Sequence, residues 1–507
     1  MEHPDLAHLG AVLAAAGAVL LLAGRGRLMV LGGLVVASLG EAALLGSANG
    51  GGGGALDRLA SPAGVVAGVL ALGALAVAAA LMVARPGWVP VIVLVAAPLR
   101  PPISFQSSGG FPLSIASNGQ LGRLLPLYFV LAAAALAMVW RAFGSSSGQA
   151  AVRALPRVVA VPAADFAGLA CLSLSWADEL QPAVELLAYF TVPFALLLAV
   201  LARSPFPDWA PRTMARAAIG LGALFAAIGL YQAVTRNLFF FAPNLEVSNA
   251  NSSFFRVTSL FGDPSLYGRH VVLAMAVLLV CLALQRIDLR LGIGLVVVLW
   301  LGLFFSYSQS SMVALVSVTL AVAFATGGPQ VRRLVLGGLA IVLVLGVGFL
   351  ASIEIRGESL RRETSDRTQR IQDTARVIKA DPVIGVGIGN QAQASRRLSG
   401  RDRPTPNFVS HATPLTVAAE LGLIGLAAYA WLLIGGARAI LGVWRLEPGL
   451  GLALGACLLA LFVHALFYSG FLEDPLTWVV LAVAAGQLTW TRRDDGVHRR
   501  GREPAAA

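Results

Sequence analysis

Residues 63–84 read AGVVAGVLALGALAVAAALMVA, a run of twenty-two residues without a charged side chain. The hydrocarbon core of a bilayer is about 30 Å thick, so a helix needs roughly 20 such residues to cross it. The same criterion, applied outward from this run, finds fifteen candidate spans along the chain. These lie near 6–24, 28–46, 63–84, 87–99, 124–140, 158–175, 184–202, 215–234, 270–285, 291–306, 311–326, 334–351, 414–437, 449–470 and 475–490.

The overall composition agrees with this pattern. The chain has 507 residues, of which 57% are apolar and 12% charged, and its mean hydropathy is +0.78. Soluble domains have about 45–50% apolar and about 25% charged residues. These values exclude an ordinary soluble enzyme, a disordered regulator and a small disulfide-rich secreted domain. We predict an all-α polytopic integral membrane protein with about 12–15 transmembrane helices, in which the proline-bracketed run 87–99 is broken or re-entrant.

Two further features of the sequence limit the possible chemistry. No basic residue precedes the first apolar run, so we expect 6–24 to remain a span rather than a cleaved signal peptide. Cys171, Cys281 and Cys457 lie in separate apolar runs, and their spacing does not resemble a metal site. We therefore expect neither a metal site nor a cofactor.

The arginine positions predict which ends of the spans face the cytoplasm. If the C-terminus is inside, twenty arginines fall in inner loops and the tail, whereas three, Arg58, Arg100 and Arg123, fall in short outer loops. Cytoplasmic loops carry the excess of arginine and lysine in membrane proteins. This orientation predicts N-terminal transmembrane helices in 1–234, an extracytoplasmic loop in 235–269, four spans in 270–351, a large extracytoplasmic loop in 352–413, C-terminal spans in 414–490 and a basic cytoplasmic tail in 491–507.

The large outer loop is unusually basic. The formal charge of the chain is +11, and the segment 352–413 alone contains eleven cations. In a soluble chain such a charge would suggest binding to nucleic acid, but a long loop on the outer side of a membrane does not meet nucleic acid. We therefore expect an anionic partner at the outer membrane surface, together with membrane lipids, and no nucleic acid.

Within this loop, residues 363–382 show helical periodicity. Ile371, Ala375 and Ile378 repeat at helical spacing, while Arg367 and Arg370 lie on the opposite face. The pattern predicts an amphipathic helix at the membrane–water boundary, and such a helix can serve simply as an interfacial anchor on lipid phosphates. It ends at the Asp-Pro pair 381–382.

The stretch 383–390, VIGVGIGN, follows this helix directly. Its glycine spacing superficially resembles a dinucleotide-binding loop, but that motif needs a preceding strand and a βαβ unit. Neither is available in an outer loop of a helical membrane protein. We expect the glycines to permit a tight turn and a close approach of backbone instead.

A histidine and an acidic residue mark the end of the large loop. His411 stands before Pro414 at the predicted boundary, where an imidazole titrates near neutrality. Glu420 lies about two turns into the following span, where a carboxylate needs a partner. A lone boundary histidine is more often a plain interfacial residue, so only the surrounding motifs support a functional role for His411.

The smaller outer loop ends in SNANSSFFRVTSLFGDPSLYGRH, residues 248–270. Here Arg256 can hold a phosphate through its planar guanidinium. Asp263 and Arg269 flank the Gly-Asp-Pro turn, and for these two we favour an Arg–Asp pair that stabilises the loop.

The order of these motifs resembles the O-antigen ligase and O-antigen polymerase superfamily of membrane glycosyltransferases with a GT-C-type fold. The resemblance covers about residues 250–430. It depends on an arginine before a Pro at a span start (256–265), a Ser-rich span start (308–311), an arginine before a Pro-hydrophobic-Gly stretch (367 and 382–389), and a histidine before a Glu-hydrophobic-Gly helix (411–425). Ser265, Gln309 and Ala412 depart from the family pattern.

The resemblance implies a glycan donor carried on a polyprenyl diphosphate in a bacterial plasma membrane, with the site facing the periplasm or cell exterior. The acceptor is a hydroxyl of a lipid-anchored or glycan molecule. The family implies catalytic roles for His411, Arg256 and Arg367, with Arg256, Arg367 and Arg370 on the donor diphosphate. Glu420, Asp263 and Arg269 are expected to support them, and the transfer is expected to need no metal and to invert the anomeric carbon.

Other functions remain open at this point. Ligase, polymerase and protein O-glycosylation differ only in the acceptor, for which the sequence shows no motif. A multi-spanning transporter or flippase of lipid-linked glycans is the main alternative and predicts internal repeats and mid-membrane charges. A structural scaffold is a third possibility, but it leaves the basic outer loop unexplained.

The topology gives the first testable prediction. Cysteines introduced by Ser399→Cys and Ser248→Cys should both react with a membrane-impermeant thiol reagent added outside intact cells, because both loops share the outer face. Ala505→Cys in the tail serves as the protected control. Labelling of the two loop positions from opposite sides would rule out one site built from both loops.

Overall fold

The computed structural model describes residues 3–48, 60–104, 114–115, 124–144, 152–240, 242–341, 367–399 and 409–500. Within these residues, twelve helices are long and apolar enough to cross a membrane. The prediction of an all-α polytopic membrane protein is therefore confirmed. A short antiparallel pair, β1 (Ile103–Ser104) and β2 (Ser114–Ile115), is the only strand pairing among the described residues.

The described helices follow one another along the chain in two halves. In the first half they are α1 (Pro4–Ala23), α2 (Arg27–Ala48), α3 (Pro62–Ala84), α4 (Val89–Ala96), α5 (Leu125–Phe143), α6 (Arg157–Leu172), α7 (Leu180–Leu186), α8 (Val192–Arg203) and α9 (Ala210–Thr235). In the second half they are α10 (Pro243–Ala250), α11 (Pro264–Ala283), α12 (Leu289–Ser306), α13 (Gln309–Thr326), α14 (Arg367–Ala380), α15 (Gln391–Ser399), α16 (Thr413–Leu446), α17 (Pro448–Ala465) and α18 (Pro475–Arg500).

Three of the fifteen candidate spans differ from the twelve long ones. The run 87–99 is a 3₁₀ turn, Pro86–Trp88, followed by the short α4, so the expected break at its prolines is present. The run 475–490 is the apolar first part of α18. The run near 334–351 is helical over 329–341 and otherwise lies outside the described residues.

Two groups of helices pack side by side. The first half contributes α1, α2, α6 and α8, and the second half contributes α11, α13, α16, α17 and α18. Helix α16 packs on α6, and α18 packs on α8, so the two halves form one continuous core. Close packing of α1 on α2 depends on small residues: a Cβ at Gly17 would lie 2.3 Å from the backbone nitrogen of Ala37.

Helix α16 is interrupted near one end. Gly422 has φ 65° and ψ −166°, which separates a first part, 413–421, from the remainder of the helix. The stretch 382–387 lies against this break and takes over its backbone hydrogen bonds. Val386 and Gly387 donate to the carbonyls of Ala419 and Glu420 at 3.0 and 2.8 Å, and Leu423 donates to Pro382 at 2.8 Å.

The glycines of this stretch are required by its shape. Gly385, Gly387 and Gly389 all have positive φ, and a Cβ at Gly385 would lie 2.5 Å from the Glu420 carbonyl. The expected tight turn with close backbone approach is therefore present. The turn also reaches the first half of the chain, because Asn390 exchanges hydrogen bonds with the backbone of Glu179 at 2.8 and 3.1 Å.

Helix α11 begins earlier than predicted. We expected a loop up to residue 269, but the helix starts at Pro264 because the Asp263 carboxylate caps it, accepting from Ser265 and Leu266 at 2.7 and 2.9 Å. Arg269 and His270 are therefore buried residues of the helix rather than loop residues.

Helix α14 forms where the amphipathic helix was predicted, but it is packed through a different face. Its buried side chains include Gln369, Asp373, Thr374 and Val377, whereas Ile371 is 49% exposed. Val377 packs against Ala394 of α15 and Ala419 of α16. Part of this polar face is hydrogen-bonded, as between Thr374 and Gln391 at 3.1 Å, and this bonding offsets the cost of burying it.

The break in α16 leads to a prediction for Gly422→Ala. The backbone conformation of Gly422 is one that only glycine adopts readily, at a cost of about 1–3 kcal/mol for other residues, and a Cβ there would lie 2.1 Å from the Val383 carbonyl oxygen. We expect a loss of at least about 3 kcal/mol, measured as a lower thermal unfolding midpoint in detergent. In Gly220→Ala, where a Cβ meets nothing within 4 Å, the midpoint should not fall; equal losses in both variants would contradict the explanation.

Candidate functional site

Five segments that are far apart in sequence meet at one end of the bundle. They are the stretch after α4, the segment before and at the start of α11, the first residues of α14, the stretch that leads into α16, and the connection 466–474 between α17 and α18.

The most buried cation at this end is Arg269, whose side chain is 3% exposed and whose guanidinium makes four contacts with protein acceptors. It donates to the Asp474 carboxylate and to the Gly470 carbonyl, each at 2.7 Å, and to the Ser469 carbonyl at 3.2 Å. A fourth contact, at 3.3 Å, reaches Nδ1 of His464. The expected Arg269–Asp263 pair is therefore wrong: Asp263 caps α11, and Arg269 instead holds the connection 466–474.

The charged groups around this ion pair shift one another's pKa values. Burial alone would raise the pKa of Asp474, but the charge of Arg269 and the hydrogen bonds to the carboxylate outweigh it and hold that pKa below its usual value. Burial lowers the pKa of the Arg100 guanidinium, and the Asp474 carboxylate opposes this shift. Arg100, from the stretch after α4, is thus close enough to Asp474 to belong to the same cluster.

Tyr468 lies at the centre of the cluster. Its ring centroid is 5.6 Å from the Arg269 guanidinium carbon, 5.5 Å from the His464 ring and 6.4 Å from the His411 ring, to which it is nearly parallel. Burial raises the pKa of its hydroxyl, and the hydrogen-bonded Asp263 carboxylate raises it further. The tyrosine therefore connects the buried ion pair with the more exposed His411.

Arg256 reaches the same cluster from the loop before α11. Its backbone is fixed by Asn249, whose amide accepts from the Arg256 N–H at 2.9 Å and donates to its carbonyl at 3.1 Å. The guanidinium donates to the Ser306 carbonyl at 3.3 Å. Burial lowers the pKa of Arg256, and the Asp263 carboxylate opposes the shift. The half-buried guanidinium makes fewer recorded contacts with protein acceptors than that of Arg269.

His411 is hydrogen-bonded to Arg370, through Nε2 of the imidazole and a guanidinium nitrogen. A guanidinium has only donors and stays protonated, so Nε2 must be the acceptor. The contact therefore requires an imidazole without a proton on Nε2. Both side chains are half-buried, at the junction of α14 with the stretch that leads into α16.

The remaining predicted residues are placed differently. Arg367 is the first residue of α14, and its side chain lies outside the described part of the chain. Glu420 was expected to support His411, but its carboxylate accepts from the Gln391 N–H at 3.4 Å, and the residue that bonds the imidazole is Arg370. Gln309, which stands where the family has arginine, is exposed at the start of α13.

Several residues of this cluster were missed by the sequence analysis: Arg100, His464, Tyr468 and Asp474. A signal for Asp474 was present, because the charged pair 473–474 before Pro475 interrupts two apolar runs at the predicted outer end. Arg100 was one of only three arginines in the short outer loops. What could not be read from the sequence was that these positions meet residues about two hundred positions away.

The geometry defines a polytopic membrane protein with a basic, histidine-containing site at one end of its helical bundle. Among the described residues, no group of three His, Cys, Asp or Glu side chains could hold a metal ion. The site combines guanidinium groups, which suit phosphate, with an imidazole that lacks a proton on one nitrogen.

Comparison with known proteins identifies the family of this region. Residues 294–430 match the family model described as O-antigen ligase, which confirms the resemblance and supports a membrane function in ligating or polymerising glycans. No curated protein matches the chain. The matched region contains Arg370, His411 and Glu420, whereas Arg256, Arg269 and the segment 466–474 lie outside it.

Proposed function

We propose that the protein transfers a glycan from a polyprenyl-diphosphate donor to a hydroxyl acceptor, at the end of the bundle that carries this cluster. In this proposal that end faces the periplasm or cell exterior of a bacterial plasma membrane, and the acceptor is a lipid-anchored or glycan hydroxyl. The observation that carries the proposal is the contact of Arg370 with an unprotonated Nε2 of His411. The ring of Tyr468 lies 6.4 Å from that of His411, and Arg256 is close enough to Tyr468 to interact with it electrostatically.

The donor's leaving group determines what the arginines do. A departing diphosphate gains negative charge as its bond to the anomeric carbon breaks, and positioned guanidinium groups stabilise that charge. Arg256 and Arg370 are assigned this role, together with Arg367, the first residue of α14. Arg269 is not assigned to the glycan donor, because its N–H groups already bond Asp474, two carbonyls and His464.

The acceptor must lose a proton as it attacks. His411 takes the proton of the acceptor hydroxyl on Nε2, the acceptor oxygen bonds to the anomeric carbon, and the diphosphate leaves with the electrons of the broken bond. Arg370 occupies Nε2 in the structure. In the proposed sequence the donor diphosphate draws the Arg370 guanidinium away and frees the base only when the donor is bound. Attack opposite the leaving group inverts the anomeric carbon.

Replacing the proposed donor arginines by lysine gives the first test. Arg256→Lys and Arg370→Lys keep the charge but lose the planar fork, so a charge-assisted hydrogen bond worth about 1.5–3 kcal/mol is lost. Transfer from a purified lipid-linked donor in proteoliposomes should fall by roughly 10- to 100-fold. The control is Arg396→Lys, on the exposed side of α15, whose activity should remain near that of the wild type. Equal activity in all three variants would show that Arg256 and Arg370 do not bind the donor.

The pH profile of transfer tests the general base. His411→Ala should reduce turnover by about 10²- to 10⁴-fold while donor binding changes little. Only the unprotonated imidazole accepts a proton, so activity should fall as the pH drops and His411 becomes protonated. That acid limb should be absent from the residual activity of His411→Gln. Persistence of the same limb in His411→Gln would assign deprotonation to another group.

A further inference from the structure

A small cavity, mostly apolar but with several polar groups in its lining, adjoins the cluster. It is enclosed between the π-helical turn Leu187–Thr191, the first part of α16 and the connection 466–474, and its volume is about 50 Å³. Its lining is apolar on the side of Phe166, Phe190 and Trp478. On the other side it is lined by Thr413, Thr416, Glu420 and Glu473. The cavity is large enough for one or two water molecules but not for an organic ligand.

Two polar atoms that face this cavity have no hydrogen-bond partner among the described residues. They are the hydroxyl of Thr413, a residue only 4% exposed, and Oε2 of Glu473. A buried polar atom left unsatisfied costs about 1–3 kcal/mol. Since the two atoms line the same space without bonding each other, water between them would satisfy both.

The charges around the cavity are unbalanced. Glu473 is faced by Arg269 of α11, by its neighbour Asp474, and by Tyr429 and Glu420 of α16. The one cation in this set, Arg269, is already paired with Asp474 at 2.7 Å. Two ionised carboxylates would therefore share a buried site without a cation of their own, which is costly. Burial raises the pKa of Glu473, and Arg269 only partly opposes it.

We propose that Glu420 and Glu473 hold at least one proton between them at neutral pH, bridged by water in the cavity that they line with Thr413. The pair acts as a positioning unit. Glu420 sits at the break in α16 and accepts from Gln391, while Glu473 belongs to the connection that carries Tyr468 and the carbonyls bonded by Arg269. Ionising both carboxylates would push these two segments apart and displace Tyr468 from His411.

Two measurements without substrate test the proton directly. Glutamine imitates a protonated glutamic acid, so infrared spectra at neutral pH should show a protonated carboxylic acid band in the wild type that weakens in Glu420→Gln or Glu473→Gln. A carboxyl pKa raised in the folded state gives stability that is complete below about pH 4, the unfolded value, and is lost as the pH rises through the folded value. The thermal midpoint of the wild type should therefore fall as the pH is raised from about 4 to the folded value of the pair, and this fall should be smaller in the glutamine variants.

Activity supplies the third measurement and depends on the proposed function. Glu473→Gln should keep its turnover at neutral pH and retain it at alkaline pH, whereas Glu473→Ala, which loses the hydrogen bonds, should fall by about tenfold. Glu246→Gln, at an exposed position of α10, is the control. An absent carboxylic acid band, or a Glu473→Gln variant as impaired as Glu473→Ala, would overturn the proposal. The carboxylic acid band and the pH-dependent midpoint can behave as expected even if no transfer is detected at all. In that case the proposed function fails, whereas the proposal that Glu420 and Glu473 share a proton is supported.

Discussion

The break in α16 is the constraint on which the rest of the site depends. Within a membrane, backbone groups released by an interrupted helix must find partners inside the protein. Here the stretch 382–387 supplies them, and glycines at 385 and 387 are what allow its backbone to approach so closely. The same stretch is tied to the first half of the chain at Ser173 and Glu179. One set of backbone hydrogen bonds therefore fixes α14, α15 and the start of α16 relative to the bundle.

The second support of the site comes from outside the region that matches the family model. Arg269 fixes the connection 466–474 through Asp474 and two carbonyls, and removing one partner of such a buried pair typically costs about 3–5 kcal/mol. The pair acts by placing Tyr468 between His464 and His411. The matched region contributes His411 and Arg370, but their surroundings are completed by residues from both ends of the chain.

The sequence was sufficient for the fold class and for three of the five segments that meet at the candidate site, but not for the contacts between them. Spans follow from apolar length, and the glycine turn follows from spacing. The start of α11 was misplaced because hydropathy begins at residue 270, although Asp263 and Pro264 form a recognisable helix start. The partner of Arg269 is 205 residues away. No local pattern encodes such a pairing, and the same holds for the choice of Arg370 over Glu420 beside His411.

The arginines at this end of the bundle differ in what their guanidinium groups already bind. That difference distinguishes an arginine with a structural role from those proposed to bind a substrate. Arg269 has four protein acceptors in a buried setting, so binding a phosphate would require breaking the ion pair that holds the connection 466–474. Among the described residues, the Arg256 guanidinium donates to one carbonyl, and Arg370 donates to the His411 imidazole. Under the proposed function, a diphosphate would bind Arg256 and Arg370 without breaking the ion pair of Arg269. The Arg370 contact that it would replace is the one to the proposed base, so donor binding and the release of His411 would be coupled in that proposal.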